Sequence, residues 1–269
     1  MGSGIAEVAA KAGHEVVLRS RQQASADAMV AGLTKSLTRQ VDKGRLEQSA
    51  ADAALALVRA TDSLDELAEC DLVIESVVED LSVKRALFAE LDGIVKADGI
   101  LATNTSTLAV VEMAAATGRP ERVCGVHFFN PAPMMSLVEI IRALTTSDET
   151  IAEVTAFAAA CGKDPVEVQD RAGFIVNALL FPYLNNAVRL LENGTASRED
   201  IDTAMKGGCN FPMGPLALLD LVGLDTSLSI LEALHAEFGD PNYSPAPALR
   251  RLVSAGHLGR KSGSGFYPY

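Results

Sequence analysis

The sequence predicts an α/β protein, in which a doubly wound domain is followed by an all-α domain. Up to about residue 145, short apolar segments alternate with amphipathic ones, which is typical of parallel strands whose connecting helices cover both faces. From Gly173 onward the pattern is almost wholly helical. The composition is that of a globular protein, with 48% hydrophobic and 22% charged residues. We therefore predict domains at residues 1–170 and 171–269.

The elements follow from periodicity and from helix start and stop signals. In the first domain the predicted helices are 5–12, 25–41, 82–95, 108–116 and 151–161, with a short helix before the strand that leads to Thr61. The predicted strands are 16–18, 72–74, 100–103, 123–129, 137–141 and 166–168. In the second domain we predict a long helix at 173–192, interrupted at Pro182, and a capping-box start for the next helix at Ser197.

Composition and charge exclude several classes of protein. The 269 residues include 23 Lys+Arg and 35 Asp+Glu, and a net charge of −12 disfavours binding to nucleic acid or to an anionic membrane. No apolar run approaches the roughly 20 residues of a membrane span, and residues 1–15 lack the pattern of a signal peptide. The four cysteines stand singly, which is not the pattern of disulfides or of a zinc cluster. We expect a cytoplasmic protein without a metal.

The N-terminus carries part of a phosphate-binding pattern. A dinucleotide site begins with a strand, a glycine-rich loop and a helix, and Gly2 stands where the third glycine of such a loop would be. Taken alone, Gly2 and Gly4 are better explained as flexible terminal residues. The case for a dinucleotide becomes stronger because a helix, Gly13, a buried strand and a polar residue follow in order. That polar residue is Ser20, 18 positions after Gly2, where the adenosine ribose is read.

The residues around Ser20 bear on which dinucleotide is bound. An acidic residue there would accept hydrogen bonds from a ribose 2′-hydroxyl, whereas this chain has Arg19 and Arg21 flanking a serine. Guanidinium groups match the geometry of a 2′-phosphate, so NADP becomes a serious rival to NAD. The alternative is a solvated basic pair on a surface turn.

A histidine and an acid are placed symmetrically about a turn. His127 ends a buried strand, Glu139 lies inside the next one, and Pro133 is six residues from each. If the strands fold back antiparallel about Pro133, the imidazole and the carboxylate face each other. Such a carboxylate orients the ring and stabilises the imidazolium, which suits a general base. The alternative is a core histidine satisfied by a structural acid.

Two further polar residues are candidates for substrate contact. Ser106 follows the strand 100–103, although a role as the cap of the next helix would alone explain it. Asn177 is one amide in the otherwise apolar segment that begins at Gly173, and a satisfied buried amide or a solvent-facing one would also account for it. Either residue could instead hydrogen-bond a substrate hydroxyl or carbonyl.

Eight motifs along nearly the whole chain resemble those of 3-hydroxyacyl-CoA dehydrogenases, most of all the short bacterial 3-hydroxybutyryl-CoA dehydrogenases. The motifs, in order, are MGSGIA, DLVIESVVED, ATNTSTL, GVHFFNPAPMMSLVEI, DRAGFIVNALLFPYLNNAVRLLENG, EDIDTAMKGG, FPMGPLALLDLVGLD and LGRKSGSGFY. The resemblance implies a Rossmann-like first domain and a helical second domain that forms a homodimer. It also implies oxidation of (S)-3-hydroxyacyl-CoA by NAD or NADP in fatty acid or butanoate metabolism.

The same resemblance implies roles for individual residues. His127 would take the proton of the 3-hydroxyl, with Glu139 as its partner, and Ser106 and Asn177 would contact the substrate oxygens. The positions that match cofactor contacts are Gly2, Glu79, Lys84, Ser106, Asn130 and Lys261, beside Arg19, Ser20 and Arg21 at the ribose. Ser36 and Lys43 match positions that touch coenzyme A. For each of these lysines, a solvated surface charge is the alternative.

The chain departs from the family pattern at two places. The family has an acid where Ser20 stands, and it begins with a central strand and two loop glycines that are absent here. Without that strand, we expect unpaired ladder groups on both neighbouring strands and a groove in the core. We place the native start upstream of Met1, and we expect weak cofactor binding only if Met1 is the native start. Two other functions stay open: a dehydrogenase of a free small hydroxy acid, or an impaired nucleotide-binding relic.

Overall fold

The computed structural model describes all 269 residues, which form two compact units, Met1–Asp170 and Arg171–Tyr269. The first unit combines strands and helices, and the second is built of helices. The fold class predicted from the sequence is therefore confirmed. None of the helices combines the length and the apolar character that a membrane crossing requires.

The first unit contains seven strands and six longer helices. The strands are β1 (Val16–Arg19), β2 (Val58–Thr61), β3 (Leu72–Glu75), β4 (Ile100–Thr103), β5 (Val123–Phe128), β6 (Leu137–Arg142) and β7 (Asp164–Gln169). The helices are α1 (Gly2–Lys11), α2 (Gln23–Asp42), α3 (Gln48–Ala56), α4 (Leu81–Asp92), α5 (Val110–Ala114) and α6 (Asp148–Ala160). Most bounds lie within three residues of those that the sequence pattern predicts.

The strands form two separate sheets. Five strands pair in the order β3-β4-β5-β6-β7, and only the β5–β6 pair is antiparallel. In that pair His127 lies directly opposite Glu139, which confirms the predicted fold-back about Pro133. The other sheet consists of β1 and β2 alone, paired in parallel.

A groove of about 730 Å³ separates the two sheets, and every residue of β1 and of β3 lines it. Because β1 pairs only with β2 and β3 only with β4, each presents one edge without a strand partner. Three of the four residues of β3 are only partly buried, whereas all four residues of β4 are buried. The expected groove and the expected unpaired ladder edges are thus confirmed.

Helix α1 connects the two halves of the first unit. Ile5 and Val8 pack into the core formed by β4, β5 and β6, while Ala6 and Ala10 pack into a second core with Leu18 of β1. A small residue on one side and a branched residue on the other allow one helix to bury both faces. The two sheets are therefore held together by packing on α1, where a parallel sheet would use strand pairing.

Helix ends in the first unit follow local hydrogen bonding. The Asp80 carboxylate caps α4 at Val83 N–H, and the Ser147 hydroxyl caps α6 at Thr150 N–H. Helix α5 is shorter than the predicted 108–116, because Asp170 accepts hydrogen bonds from the N–H groups of Val110 and Val111 and so sets where the helix begins.

The second unit contains five helices around one core. They are α7 (Val176–Glu192), α8 (Arg198–Cys209), α9 (Pro215–Val222), α10 (Leu224–Phe238) and α11 (Pro247–Ser254). Ser197 caps α8 through Asp200 N–H, as the capping-box pattern predicts. Helix α7 begins later than predicted because Gly173 and Phe174 have positive φ, and the predicted interruption at Pro182 is wrong. Pro182 is buried, and packing of the surrounding helix face outweighs its local cost.

Candidate active site

The centre of the site is the buried pair of His127 and Glu139. The antiparallel register places the two side chains on neighbouring strands, with Nδ1 of His127 2.7 Å from Oε2 of Glu139. His127 is 5% exposed and Glu139 is 1% exposed, so the pair is shielded from bulk water. A carboxylate in this position fixes the orientation of the imidazole.

Ser106 contacts the other nitrogen of the same ring. It lies in the loop after β4, and its Oγ is 3.1 Å from Nε2 of His127. The alternative that Ser106 caps the next helix is wrong, because the hydroxyl of Thr105 accepts the hydrogen bonds from Thr107 and Leu108 N–H. The hydroxyl of Ser106 is therefore directed to the imidazole, and Thr105 closes the turn.

Glu79 holds this loop from the opposite side. Its Oε1 accepts hydrogen bonds from Ser106 N–H at 3.0 Å, from Thr107 N–H at 3.3 Å and from the Thr105 hydroxyl. Burial alone raises the pKa of Glu79, but the Thr105 hydroxyl, the charge of Lys84 and the Ser106 N–H outweigh it and lower the pKa overall. Glu79 is thus an ionised acceptor at neutral pH.

Lys84 is buried beside two carboxylates. It is 1% exposed, with Nζ 2.8 Å and 2.9 Å from the two oxygens of Glu75 and 3.2 Å from Oε2 of Glu79. The cofactor contact that the resemblance implies for Lys84 stays a prediction. In this structure the Lys84 ammonium is held by the carboxylates of Glu75 and Glu79.

Two residues near the site were missed by the sequence analysis. The Asn104 side chain accepts a hydrogen bond from Phe128 N–H at 2.8 Å and so ties the ends of β4 and β5 together. Thr105, described above, is fully buried. The run Asn104-Thr105-Ser106-Thr107 was the available signal, since four polar residues directly after a buried strand indicate a structured turn.

The start of α1 suits an anionic cofactor group. The helix has ten residues, no side-chain cap and no acid in its first turn, so its first N–H groups and its dipole favour a phosphate. A Cβ on Gly2 would lie 4.0 Å from Cβ of Ser76, which directly follows β3. This helix end is therefore at the carboxyl edge of the sheet, where parallel sheets bind their ligands.

The three residues predicted at the ribose follow one another at the end of β1. Arg19 is the last residue of the strand, and its Nε donates to the carbonyl of Asp62 at 3.2 Å. Ser20 is partly buried and Arg21 is exposed. The guanidinium groups of two arginines flank a serine hydroxyl along the chain, and such a set can bind a phosphate.

The remaining candidates lie on other elements. Ser36 is on α2 and accepts a weak hydrogen bond from Gln40, while Lys43 is exposed immediately after that helix. Asn130 is exposed in the loop after β5. In the second unit, Asn177 is buried in the first turn of α7, and Lys261 is ion-paired with Asp225, with Nζ 2.7 Å from Oδ2.

Comparison with known proteins assigns both units to one family. Residues 1–171 match the model of the 3-hydroxyacyl-CoA dehydrogenase NAD binding domain, and residues 173–269 match that of the C-terminal domain of the same enzymes. A 3-hydroxybutyryl-CoA dehydrogenase from Clostridioides difficile is 47% identical over 269 residues, covering 100% of this chain and 96% of the relative. One from Mycobacterium tuberculosis is 49% identical over 271 residues, covering 100% of this chain and 95% of the relative.

Solved structures agree with this assignment. M. tuberculosis FadB2 superposes with a TM-score of 0.98 at 49% identity, and covers 100% of this chain and 95% of its own. The (S)-3-hydroxybutyryl-CoA dehydrogenase PaaH1 from Ralstonia eutropha superposes with a TM-score of 0.97 at 45% identity, with the same coverage of 100% and 95%.

Proposed function

This chain belongs to the 3-hydroxyacyl-CoA dehydrogenase family, and we propose that it interconverts (S)-3-hydroxybutyryl-CoA and acetoacetyl-CoA with NAD(H) as the hydride carrier. The substrate is proposed because relatives that match the whole chain at 47% and 49% identity carry that name. A free hydroxy acid is not favoured by any feature of the site. The observation that carries the proposal is the position of His127 between Glu139 and Ser106.

His127 acts as the base in the direction of oxidation. A carboxylate only accepts hydrogen bonds, so Nδ1 of the neutral ring carries the proton and donates it to Glu139. Nε2 is then free of a proton and can take the one on the C3 hydroxyl of the substrate. Glu139 stabilises the imidazolium that results, and in the reverse direction the same nitrogen returns the proton.

Ser106 and Asn177 are proposed to hold the substrate oxygens. The hydroxyl of Ser106 already lies 3.1 Å from Nε2, so an oxygen bonded to this hydroxyl would also lie close to the base. Asn177 offers an amide that can donate to a carbonyl. Both residues would orient C3 of the substrate, and neither needs to change its own protonation state.

The cofactor is NAD(H), which accepts or supplies the hydride when bound. We propose that the start of α1 at Gly2 holds its diphosphate and that the segment of Arg19, Ser20 and Arg21 contacts the adenosine ribose. Glu79, Ser106 and Asn130 are proposed for the nicotinamide side, with Lys261 as a further contact. The two arginines favour NADPH as well, because each can pair with a 2′-phosphate.

Three further proposals come from the resemblance. Ser36 and Lys43 would contact coenzyme A. Ser36 lies on α2, and Lys43 follows that helix and is exposed, so its ammonium is accessible to a ligand. The second unit would form a homodimer, and Leu179 of α7, which is 72% exposed, suits such an apolar contact. A cytoplasmic location stays a prediction from the sequence.

The direct test follows the absorbance of the reduced nicotinamide with acetoacetyl-CoA as the substrate. We expect turnover with NADH that stops when acetoacetyl-CoA is replaced by free acetoacetate, and NADPH is assayed in parallel. The assay should extend to millimolar cofactor, so that saturation with NADH and with NADPH is reached. Absence of turnover at saturating substrate and cofactor, in protein shown to be folded, would reject the proposed function.

A further inference from the structure

We propose that Lys84 is a positioning residue for this reaction, acting through Glu79 on the loop that presents Ser106 to His127. The proposal rests on the function proposed above, because its kinetic assay uses that reaction. It differs from the cofactor contact that the family resemblance implies for Lys84. Its basis is a continuous series of contacts from a buried ammonium to the imidazole.

The series begins on β3. Glu75, the last residue of that strand, is 4% exposed and binds Lys84 through both of its carboxylate oxygens. Glu75 also accepts hydrogen bonds from Val77 N–H at 2.6 Å and from the Thr103 hydroxyl at 2.8 Å. The position of the Lys84 ammonium is thus fixed by a carboxylate that is itself held by β3, β4 and the chain after β3.

The second step is the contact between Lys84 and Glu79. Nζ of Lys84 lies 3.2 Å from Oε2 of Glu79, which leaves Oε1 to the loop after β4. The Glu79 side chain is 39% exposed, so without the lysine it could turn towards water. The ammonium therefore selects the orientation in which Glu79 accepts from the Ser106 and Thr107 N–H groups.

The third step leads to the base. Ser106 is fixed through its main chain by Glu79 and places its hydroxyl 3.1 Å from Nε2 of His127. A loop held only by the turn bonds of Thr105 would allow the hydroxyl to move away from the ring. Hydrogen bonds at a reacting group lose most of their effect when the geometry shifts by about 1 Å, so a small displacement of the loop is costly.

Charge explains why the residue at position 84 has to be a cation. Glu75 and Glu79 are both carboxylates, and Lys84 is the cation that lies between them. Without it, the two carboxylates would repel each other, and Glu75 would remain buried without its counter-ion. Glu79 is the more exposed of the two and would be the one to move.

The first experiment replaces Lys84 by methionine, which keeps the length of the side chain and removes its charge. We expect kcat with acetoacetyl-CoA at saturating NADH to fall by about tenfold to a hundredfold. The NADH dissociation constant should rise by a smaller factor, because Glu79 and Ser106 are also proposed to lie beside the nicotinamide. A direct cofactor contact would give the opposite pattern. An unchanged kcat with a raised NADH dissociation constant, measured by nicotinamide fluorescence, would overturn the proposal.

A double-mutant cycle tests whether Lys84 acts through Ser106. If it does, Lys84→Met should cost much less in the Ser106→Ala background than in the wild type, because the hydroxyl it positions is already gone. Full additivity of the two losses in kcat would show that Lys84 acts by another route and would overturn the proposal.

A readout without substrate or cofactor is amide hydrogen exchange in the loop. We expect the Ser106 and Thr107 amides to exchange at least about tenfold faster in Lys84→Met, because their acceptor has moved. Unchanged exchange would overturn the proposal even if activity were lost. If the wild-type enzyme showed no turnover but the exchange result held, the proposed function would fail while the positioning contact stood.

A second variant keeps the test decisive if Lys84→Met does not fold. Glu79→Gln leaves the Glu75–Lys84 pair in place. Like Lys84→Met, it is expected to lower kcat and to speed amide hydrogen exchange in the loop that carries Ser106. The matched control is Arg119→Lys. Arg119 is a partly buried cation paired with Asp92, 2.7 Å from its Nε, and it also bonds the carbonyl of Val95. That control should lower stability and leave both kcat and loop exchange unchanged.

Discussion

The two halves of the first unit differ in how they are built. The sheet β3–β7 has five paired strands, and every residue of β4 and β5 is buried. The pair β1–β2 stands alone across the groove and is joined to the larger sheet by packing on α1. The larger half has a continuous hydrogen-bonded ladder, while the smaller half depends on side-chain packing and on one parallel pair of four residues each.

This difference separates the residues around His127 from the segment proposed to contact the adenosine ribose. His127, Glu139, Ser106 and Glu79 all lie on the larger half, in contacts that need nothing from β1 or β2. The residues proposed at the ribose lie on the smaller half, at the end of β1. We therefore expect the proton-transfer geometry to be independent of β1 and β2.

The largest effect is expected from His127→Ala, which removes the proposed base and changes only the larger half. Loss of the base should lower kcat by about a hundredfold to ten-thousandfold, while the dissociation constant for NADH changes less than about twofold. Steady-state kinetics and nicotinamide fluorescence measure the two quantities on the same protein. Retained turnover would remove His127 from its proposed role, and a parallel loss of NADH affinity would contradict the separation of the two halves.

The next effect comes from filling the groove. An N-terminal extension of about five apolar residues and a glycine-containing turn can add a strand parallel to β1 and β3, because α1 begins at the carboxyl edge of the sheet. Two new ladders should raise the melting temperature by about 5 °C or more and strengthen NADH binding by about tenfold. Calorimetry and fluorescence titration measure these changes.

The control for this extension is a Gly/Ser segment of the same length, which should leave both values unchanged. Cys70 lines the groove and is partly buried, so its labelling by a thiol reagent should slow only in the strand-forming variant. Cys124 lies in the larger sheet, where burial raises its pKa to about 12, and it should stay unreactive in every variant. Faster labelling of Cys70 in the extended protein would show that the added strand does not enter the groove.

A smaller effect is expected from Ser20→Asp, which changes the smaller half alone. The new carboxylate would repel a 2′-phosphate and accept from a 2′-hydroxyl, so affinity for NADPH should fall about tenfold relative to NADH. Ratios of kcat/KM for the two cofactors measure the shift. An unchanged ratio would place the adenosine ribose away from β1. A fall in kcat with both cofactors would show that a change at Ser20 affects the residues around His127.

The smallest effect concerns acid stability in the larger half. The folded-state pKa of Glu79 lies below its usual value of 4.5, so its contribution to stability is present above that pH and is lost as the pH falls through the folded-state pKa. Glu79→Gln should therefore melt about 2 °C below the wild type near neutral pH and lose this difference in more acidic buffer. A difference that grows on acidification would contradict the direction of the shift.

The strand pattern and the His127–Glu139 pair could be predicted from the sequence because both depend on local repeats. Short apolar segments that alternate with amphipathic ones predict a parallel sheet covered by helices. Equal spacing about a turn predicts which residues of two antiparallel strands face each other. The roles of Ser106 and Thr105 could not be separated in this way. Both hydroxyls can cap a turn, and the choice depends on which one meets the imidazole across the sheet.

The start of α5 and the course of α7 show the same limit. Asp170 sets the beginning of α5 from 60 residues away, and no local pattern reveals such a partner. The uninterrupted course of α7 through Pro182 depends on burial of that face in the helical core. Local rules predict the cost of a proline, whereas the packing that outweighs this cost comes from distant segments.

By itself, the sequence determined the α/β fold followed by a helical unit, the family and the register that brings His127 opposite Glu139, because each depends on order along the chain. Only the tertiary structure decided that Lys84 is buried between two carboxylates and directed towards the Ser106 loop. A lysine on an amphipathic helix is usually a surface charge, and its burial here results from acids contributed by a strand and a loop. Burial and charge pairing are properties of the folded neighbourhood, which no local pattern contains.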